Sequence, residues 1–171
     1  SEEATMSKQK KNVLSVWVED KAGVLSKVAE LFGAEGCNIE SLTVGASEKP
    51  GVSRITVVVG GEQAEIDSVI SQLNRLTSLI KVKRVDDDES VRMELALIKI
   101  DAPDDRKTDI INIVNVFRAR IVDVAANTMT AAIAGSPVKI LALQDLLAQF
   151  GVIEIVRTGM IAIDRGVRVV D

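Results

Sequence analysis

The sequence has no histidine and no tyrosine, and it has only one cysteine and three prolines among 171 residues. Without histidine it lacks the commonest metal ligand and the commonest general base near neutral pH. The single cysteine, Cys37, excludes an intrachain disulfide and favours a reducing compartment. The aromatic side chains are Trp17, Phe32, Phe117 and Phe150. Catalysis by a histidine-activated nucleophile is therefore excluded.

The chain also lacks a basic excess and a long apolar run. Its net charge is −4, so no overall positive field attracts phosphate backbones or anionic lipids. No stretch approaches the roughly 20 apolar residues that span a bilayer. The first residues are polar and charged, and we expect residues 1–11 to form a disordered tail. These features predict a cytoplasmic protein that binds neither nucleic acid nor membrane.

The hydrophobic content of 47% and the length allow one large or two small globular domains. In the first half, segments with the apolar spacing of a strand alternate with segments that have the apolar spacing of a helix. The predicted order is strand 13–18, a helix from 24 that ends before Gly36, strand 38–44, strand 53–59, a helix around 66–76 and strand 79–85. This β-α-β-β-α-β order is typical of a ferredoxin-like fold.

The second half repeats that order after an acidic connector, Asp86–Glu89. Its predicted elements are strand 93–100, a helix that begins at 103–105, strands 121–125 and 130–134, a helix from Pro137, strand 152–157 and a further strand at 160–163. We therefore predict an α+β protein with two ferredoxin-like βαββαβ domains. The predicted boundaries are a tail at 1–11, an N-terminal domain at 12–86, a linker at 87–90 and a C-terminal domain at 91–171.

Few residues are candidates for catalysis. Cys37 lies between a helix-ending glycine and a strand, a position more typical of a buried structural thiol than of a nucleophile. The acidic run Asp86–Glu89 could hold a divalent cation, but acids in a connector usually stay hydrated. Ser53–Val59, the third strand, has no aromatic platform for RNA. We predict no catalytic and no metal-binding residue; a carboxylate-dependent metalloenzyme is the least favoured alternative.

The first strand-to-helix junction is the strongest candidate site. A helix N-terminus presents unpaired N–H groups and a partial positive charge, which suit a carboxylate. Gly23 would let a ligand approach the backbone, Asp20 could accept from an ammonium group, and Asn38 could donate or accept nearby. Val24, Leu25 and Ile39 would supply an apolar wall. These parts match a free amino acid.

The same residues also have a purely structural interpretation. Gly23 is equally typical of a turn, Asp20 of a residue that interacts with the helix dipole, and Asn38 of a turn residue that tolerates left-handed geometry. Val24, Leu25 and Ile39 are more typical of a core than of a pocket. Local sequence alone leaves both interpretations open.

Several stretches in a fixed order resemble one known family. They are Gly-Val-Leu-Ser-Lys-Val at 23–28, Gly-Cys-Asn-Ile-Glu-Ser-Leu-Thr-Val at 36–44, Ser53-Arg54, Leu73–Val85, Phe-Arg-Ala-Arg-Ile-Val-Asp-Val at 117–124, Arg-Thr-Gly at 157–159 and Asp-Arg-Gly at 164–166. With Leu-Ser-Val at 14–16, they spread the resemblance over roughly residues 12–166, nearly the whole chain. The sequence resembles the regulatory small subunits of acetolactate synthase.

That resemblance implies an N-terminal ACT domain, which is an amino-acid-sensing ferredoxin-like domain. It implies a chain without catalysis or cofactors of its own, which activates a catalytic large subunit that carries thiamine diphosphate, Mg²⁺ and FAD. It further implies feedback inhibition by valine or another branched-chain amino acid, bound where two ACT domains pair in a homodimer. A stand-alone ACT-type amino-acid sensor is the alternative.

The resemblance carries the effector site over to Asp20, Gly23 and Asn38. Gly23 and Asn38 match the family directly, whereas position 20 is often asparagine in bacterial relatives. The added charge of Asp20 favours a ligand ammonium group and repels a ligand carboxylate that lies too close.

Overall fold

The computed structural model describes residues 11–166, which form two compact units. Unit 1 holds the described residues up to Val91 together with those from Met160 onward, and unit 2 is Arg92–Gly159. The predicted tail 1–11 lies outside the described residues except for Lys11, which begins the first strand.

Unit 1 has the predicted β-α-β-β-α-β order. Its elements are β1 (Lys11–Glu19), α1 (Val24–Ala34), β2 (Asn38–Ala46), β3 (Val52–Gly60), α2 (Gln63–Leu73) and β4 (Leu79–Arg84). The four strands form one antiparallel sheet in the order β2-β3-β1-β4. The ferredoxin-like prediction for this half is confirmed.

The core of unit 1 lies between the sheet and its two helices. Alternate residues of β1 and β3 point to the helices, where the strictly helical spacing of α1 and α2 supplies the facing side chains. The fully buried residues include Leu14, Val16, Val28, Phe32, Ile55, Val57, Ile66, Val69 and Leu73. Because this core uses no residue of unit 2, it is a separate hydrophobic core.

The helix ends follow from short sequence signals. At the end of α1, Gly36 has φ +73, the Gly36 N–H donates to Gly33 and the Cys37 N–H donates to Phe32. These two bonds form a Schellman motif, in which glycine adopts the left-handed conformation at no steric cost. The predicted role of Gly36 as a helix stop is confirmed.

Unit 2 repeats the same architecture. It contains most of β5 (Ser90–Asp101), then α3 (Lys107–Val116), β6 (Arg120–Val124), β7 (Thr128–Gly135), α4 (Pro137–Leu147), a short 3₁₀ turn and β8 (Val152–Arg157). These strands follow the sheet order β6-β7-β5-β8, and a fifth strand, β9 (Ile161–Asp164), pairs with β5 off this path. Pro137 occupies the first turn of α4, where the missing N–H costs nothing, and the Ser136 side chain accepts from the Lys139 N–H. Its own core includes Ile98, Ile100, Ile110, Val114, Ile133, Ile140, Leu143 and Leu147.

The last described segment differs from the sequence prediction. We predicted residues 91–171 as one C-terminal domain, whereas residues 160–166, including β9 (Ile161–Asp164), group with unit 1. Ala162 packs with Val13, Val58 and Val85, and the Arg165 N–H donates to the Glu89 carbonyl at 2.8 Å. A linear boundary could not show this, because the chain leaves unit 1 and then returns to it.

Residues 11–166 contain neither a candidate membrane-spanning helix nor a candidate metal-binding cluster. None of the helices there has the length and apolarity that a bilayer span requires. Nor do these residues contain a group of three or more acidic or cysteine side chains placed to hold a metal ion.

Candidate functional site

The N-terminus of α1 is open. Gly23 precedes the helix with φ +84 and ψ −9, and no side chain caps the first turn. A Cβ built on Gly23 would meet no atom within 4 Å, so the space beside the backbone is free. The N–H groups of Leu25 and Ser26 have no partner within the helix, as in any first turn. The arrangement leaves backbone donors and the positive helix end accessible to a small anion.

Asp20 lies in the loop that leads into this helix. Its backbone N–H donates to the Gly51 carbonyl at 2.9 Å, which holds the loop beside the β2–β3 turn. Its exposed carboxylate has no ion-pair or hydrogen-bond partner among residues 11–166, whereas the neighbouring Glu19 pairs with Lys21 at 2.8 Å. The Asp20 carboxylate can therefore accept a ligand ammonium group. Gly51 is not among the residues that the sequence predicts for this site.

The three residues of the predicted apolar wall, Val24, Leu25 and Ile39, do not all have the same role. Val24 is buried and belongs to the core of unit 1, so it is a packing residue. Leu25 is 43% exposed beside the open helix start and is free to contact a ligand. Ile39 is partly buried and packs against the same core from β2.

Asn38 lies at the other end of the sheet from Asp20. In the strand register Asn38 is opposite Gly60, which is itself opposite Lys11 at the beginning of β1. Asp20 follows the last residue of β1, and that nine-residue strand spans about 26 Å at ~3.3 Å per residue. One chain therefore does not bring the residues of the predicted site together: Asp20, Gly23 and Leu25 form one group, and Asn38 with Ile39 forms another.

Both groups lie along one edge of unit 1. β2 is an edge strand and α1 packs on the β2 side of the sheet, whereas α2 packs on the β4 side. The Asn38 side chain is exposed and has no hydrogen-bond partner in the described part of the chain. A register shift between Ile39 and Ser41 marks a bulge there, a feature common at sheet edges. The edge thus presents two separate polar groups, one at each end.

The catalytic alternatives find little support in the geometry. The residues of Asp86–Glu89 are exposed, and the Asp86 side chain accepts from the Asp88 N–H, a local turn contact. Cys37 is buried, and burial together with the nearby Glu65 and Glu35 raises the pKa of its thiol. A raised pKa keeps the thiol protonated and poorly nucleophilic.

Known proteins match both halves of the chain. A family model for an "AHAS small subunit-like ACT domain" matches residues 14–81, and one for "Small subunit of acetolactate synthase" matches residues 93–166. The probable acetolactate synthase small subunit of Archaeoglobus fulgidus is 44% identical over 156 residues, which is 91% of this chain and 98% of that protein. The acetolactate synthase small subunit of Mycobacterium bovis is 45% identical over 159 residues, which is 93% of this chain and 95% of that protein.

A solved structure agrees with the sequence relatives. The acetolactate synthase small subunit from Thermotoga maritima superposes with a TM-score of 0.86 at 38% identity, covering 93% of this chain and 99% of that one. The resemblance drawn from the motifs is confirmed, as are the α+β class and the ACT domain. The chain belongs to the family of acetolactate synthase small subunits.

Proposed function

We propose that this chain is the non-catalytic regulatory subunit of an acetolactate synthase, which activates a catalytic large subunit and inhibits it when valine is abundant. Thiamine diphosphate, Mg²⁺ and FAD would be bound by that large subunit. The observation that carries the proposal is the open start of α1, with an uncapped first turn at Gly23 and an unpaired Asp20 carboxylate beside it. The cytoplasm is the proposed location.

The chemistry of the helix start fits an α-amino acid. The ligand carboxylate would accept from the N–H groups of Leu25 and Ser26, where the helix dipole favours negative charge. The ammonium group would pair with Asp20, and the aliphatic side chain would lie against the exposed Leu25. Valine, leucine and isoleucine differ by at most one methylene or its position, which is worth only about 1–3 kcal/mol in a pocket. Valine is therefore proposed on family grounds.

A homodimer would complete this site. Because β2 and α1 share one edge, a two-fold axis at that edge would run the two copies in opposite directions. The start of α1 in one copy would then face Asn38 of the partner subunit, which one chain alone holds at the far end of its sheet. Pairing would also cover the free edge of β2, which otherwise invites aggregation.

Reconstitution with the catalytic subunit from the same genome tests the function. We expect the chain alone to make no acetolactate from pyruvate, to stimulate the catalytic subunit and to confer inhibition by valine, with leucine and isoleucine as comparisons. Stimulation without any response to the three amino acids would remove the sensor role. Valine binding without stimulation would favour the stand-alone sensor instead.

Mixed dimers test whether the site joins two chains. Gly23→Asp and Asn38→Ala should each remove the sites of wild-type valine affinity from the pure dimer. In an unfolded and refolded equal mixture, half of the dimers are hybrids, and each hybrid would keep one intact site. We therefore expect about a quarter of the wild-type binding sites to return by calorimetry. No recovery, with hybrid formation verified by mass spectrometry, would place both residues in sites that do not span the interface.

A further inference from the structure

The open face of the unit 1 sheet is crossed by residues 160–165, which we name the strap. Its first contact is with the edge strand β2. The Met160 N–H donates to the Ser41 hydroxyl at 3.0 Å, and the Thr43 hydroxyl donates to the Met160 carbonyl at 3.2 Å. Two side chains of β2 thus satisfy the backbone N–H and the backbone carbonyl of Met160.

The strap then continues across the other strands. The Arg54 guanidinium on β3 donates to the Ala162 carbonyl at 2.9 Å, and Asp164 forms an ion pair with Lys83 on β4. Ala162 and Met160 pack on an apolar cluster formed by Val13, Val58 and Val85. The centre of the strap is anchored by the buried Ala162, whereas Met160 at the β2 end is only partly buried and is also held by its two hydrogen bonds to β2.

Because Met160 is only partly buried and each of its hydrogen bonds contributes little net free energy, the β2 end is the part of the strap that can be released first. The same strand carries Asn38 and Ile39 at its beginning, and the bulge separates Ile39 from Ser41 by one residue. A ligand that orders the start of β2 therefore acts within three residues of the strap's contact.

At its β2 end the strap is joined directly to unit 2. Gly159, with φ +91, precedes Met160 and allows a turn that other residues rarely adopt. Just before it, Thr158 is fixed to unit 2 because its N–H donates to the Leu95 carbonyl at 2.9 Å and its hydroxyl accepts from the Leu95 N–H at 3.0 Å. A shift of Met160 on β2 is therefore separated from a fixed point of unit 2 by a single glycine.

We propose that the strap is the regulatory relay of this subunit: effector binding at the β2 edge changes how Met160 docks on Ser41 and Thr43, and the strap passes that change to unit 2. The proposal rests on the proposed function, because it names how the same effector site is read. In this proposal Ser41 and Thr43 couple the effector site to unit 2, and they are separate from the residues that would hold the ligand.

The test uses the full chain, alone and with its catalytic subunit, and L-valine as the probe. The variant is Ser41→Ala with Thr43→Val, which removes both hydroxyls from β2 with little change in volume. A hydroxyl-preserving swap, Ser41→Thr with Thr43→Ser, is the rescue, and Thr130→Val in β7 of unit 2 is the matched control. Stimulation, maximal inhibition by valine and calorimetric affinity are measured for each.

We expect the double variant to stimulate the enzyme and bind valine within about threefold of wild type, while maximal inhibition falls by about half or more. The swap and the control should keep full inhibition. In the wild-type chain, hydrogen exchange of the amides at 160–164 should change by about threefold or more on addition of valine.

Three outcomes would overturn the relay. Full inhibition in the double variant would show that the β2 contacts carry no signal, and unchanged exchange at 160–164 would show that valine does not reach the strap. Loss of valine binding together with inhibition would make the strap a part of the site. If wild-type chain binds no valine at all, the proposed function itself fails, which the wild-type calorimetry reveals before any variant is made.

Discussion

The two units share one topology and differ where their first helices begin. In unit 1, α1 starts at Gly23, with no capping side chain and free space beside the backbone. In unit 2, the corresponding helix α3 starts at Arg106 and Lys107, and both side chains contact neighbouring groups. The Arg106 guanidinium lies 4.5 Å from the centre of the Phe150 ring, and the Lys107 ammonium donates to Asp104 at 2.8 Å and to the Ala126 carbonyl at 2.6 Å.

The starts of α1 and α3 show that two units with the same fold can differ in the groups that they offer to a ligand. Both starts have the same helix dipole and no capping side chain, but only α1 begins after a glycine in the left-handed conformation, with free space beside its backbone. The other places two cationic side chains, with their partners, around the helix start. A βαββαβ unit is therefore not an amino-acid sensor by itself; the residues at one loop make it a candidate.

The open sheet faces differ as well. In unit 1 the strap covers the face opposite the helices. In unit 2 the corresponding face of β5 and β8 keeps Leu95, Leu97 and Val156 about 40–60% exposed. The same architecture thus buries one of these faces with its own chain and leaves apolar side chains accessible on the other.

Truncation of a core side chain should have the largest effect on the stability of either unit. Phe32→Ala should destabilise unit 1 by about 3–5 kcal/mol and Ile140→Ala should destabilise unit 2 by about 2–5 kcal/mol, because each empties a fully buried position in a separate core. Hydrogen exchange under increasing urea should show the loss mainly in the mutated unit. The exposed Val116→Ala is the control. Equal loss of protection in both units would show that the two cores unfold as one.

Gly23→Asp should remove the feature that distinguishes the two helix starts. At φ +84 a residue with a Cβ is strained, and the new carboxylate repels that of the ligand. We expect valine affinity to fall about thirtyfold, or about 2 kcal/mol, with stimulation of the catalytic subunit retained. Gly23→Asn, which has similar backbone tolerance but no charge, should lose less. Unchanged calorimetric affinity in the Asp variant would contradict the placement of the site.

The C-terminal ends of α1 and α3 differ in a residue that should change stability less than a core truncation does. Both are Schellman motifs, but Gly36 occupies the left-handed position after α1, whereas Arg118 with φ +54 occupies it after α3. Gly36→Ala should destabilise unit 1 by about 1 kcal/mol, and Arg118→Gly should be neutral or slightly stabilising for unit 2. Urea midpoints measure both changes. A destabilising Arg118→Gly would mean that the arginine side chain contributes more than its backbone strain costs.

The smallest effect concerns pH at the start of α3. The hydrogen bond from Lys107, together with its charge, lowers the pKa of Asp104. Since the folded pKa lies below the unfolded one, the contribution to stability is present above about pH 4 and is lost as the pH falls through the folded pKa. Asp104→Asn should therefore reduce the acid sensitivity of the urea midpoint slightly. Salt should shrink the difference from wild type, because Asp104 is exposed; a difference that survives 1 M salt would contradict this account.

The agreement between predicted and observed elements has a local cause. The helix that ends before Gly36, strand 152–157 and the helix from Pro137 were recognised from spacing, a left-handed glycine and an N-terminal proline. Each signal acts within one turn or one strand, so it can be interpreted without knowing what packs on it. The burial of individual side chains was harder to predict. Val24 and Leu25 are adjacent and both apolar, yet Val24 lies in the core and Leu25 lies on the surface.

The secondary elements, their order, the βαββαβ fold of each half and the family could be predicted from the amino-acid sequence, because periodicity and motifs are properties of the chain. Only the tertiary structure decided that Asp20 and Asn38 lie at opposite ends of one sheet and that residues 160–166 return to unit 1. Strand register and long-range docking depend on which distant residues meet. That information lies in the packing of side chains against one another, and no local spacing carries it.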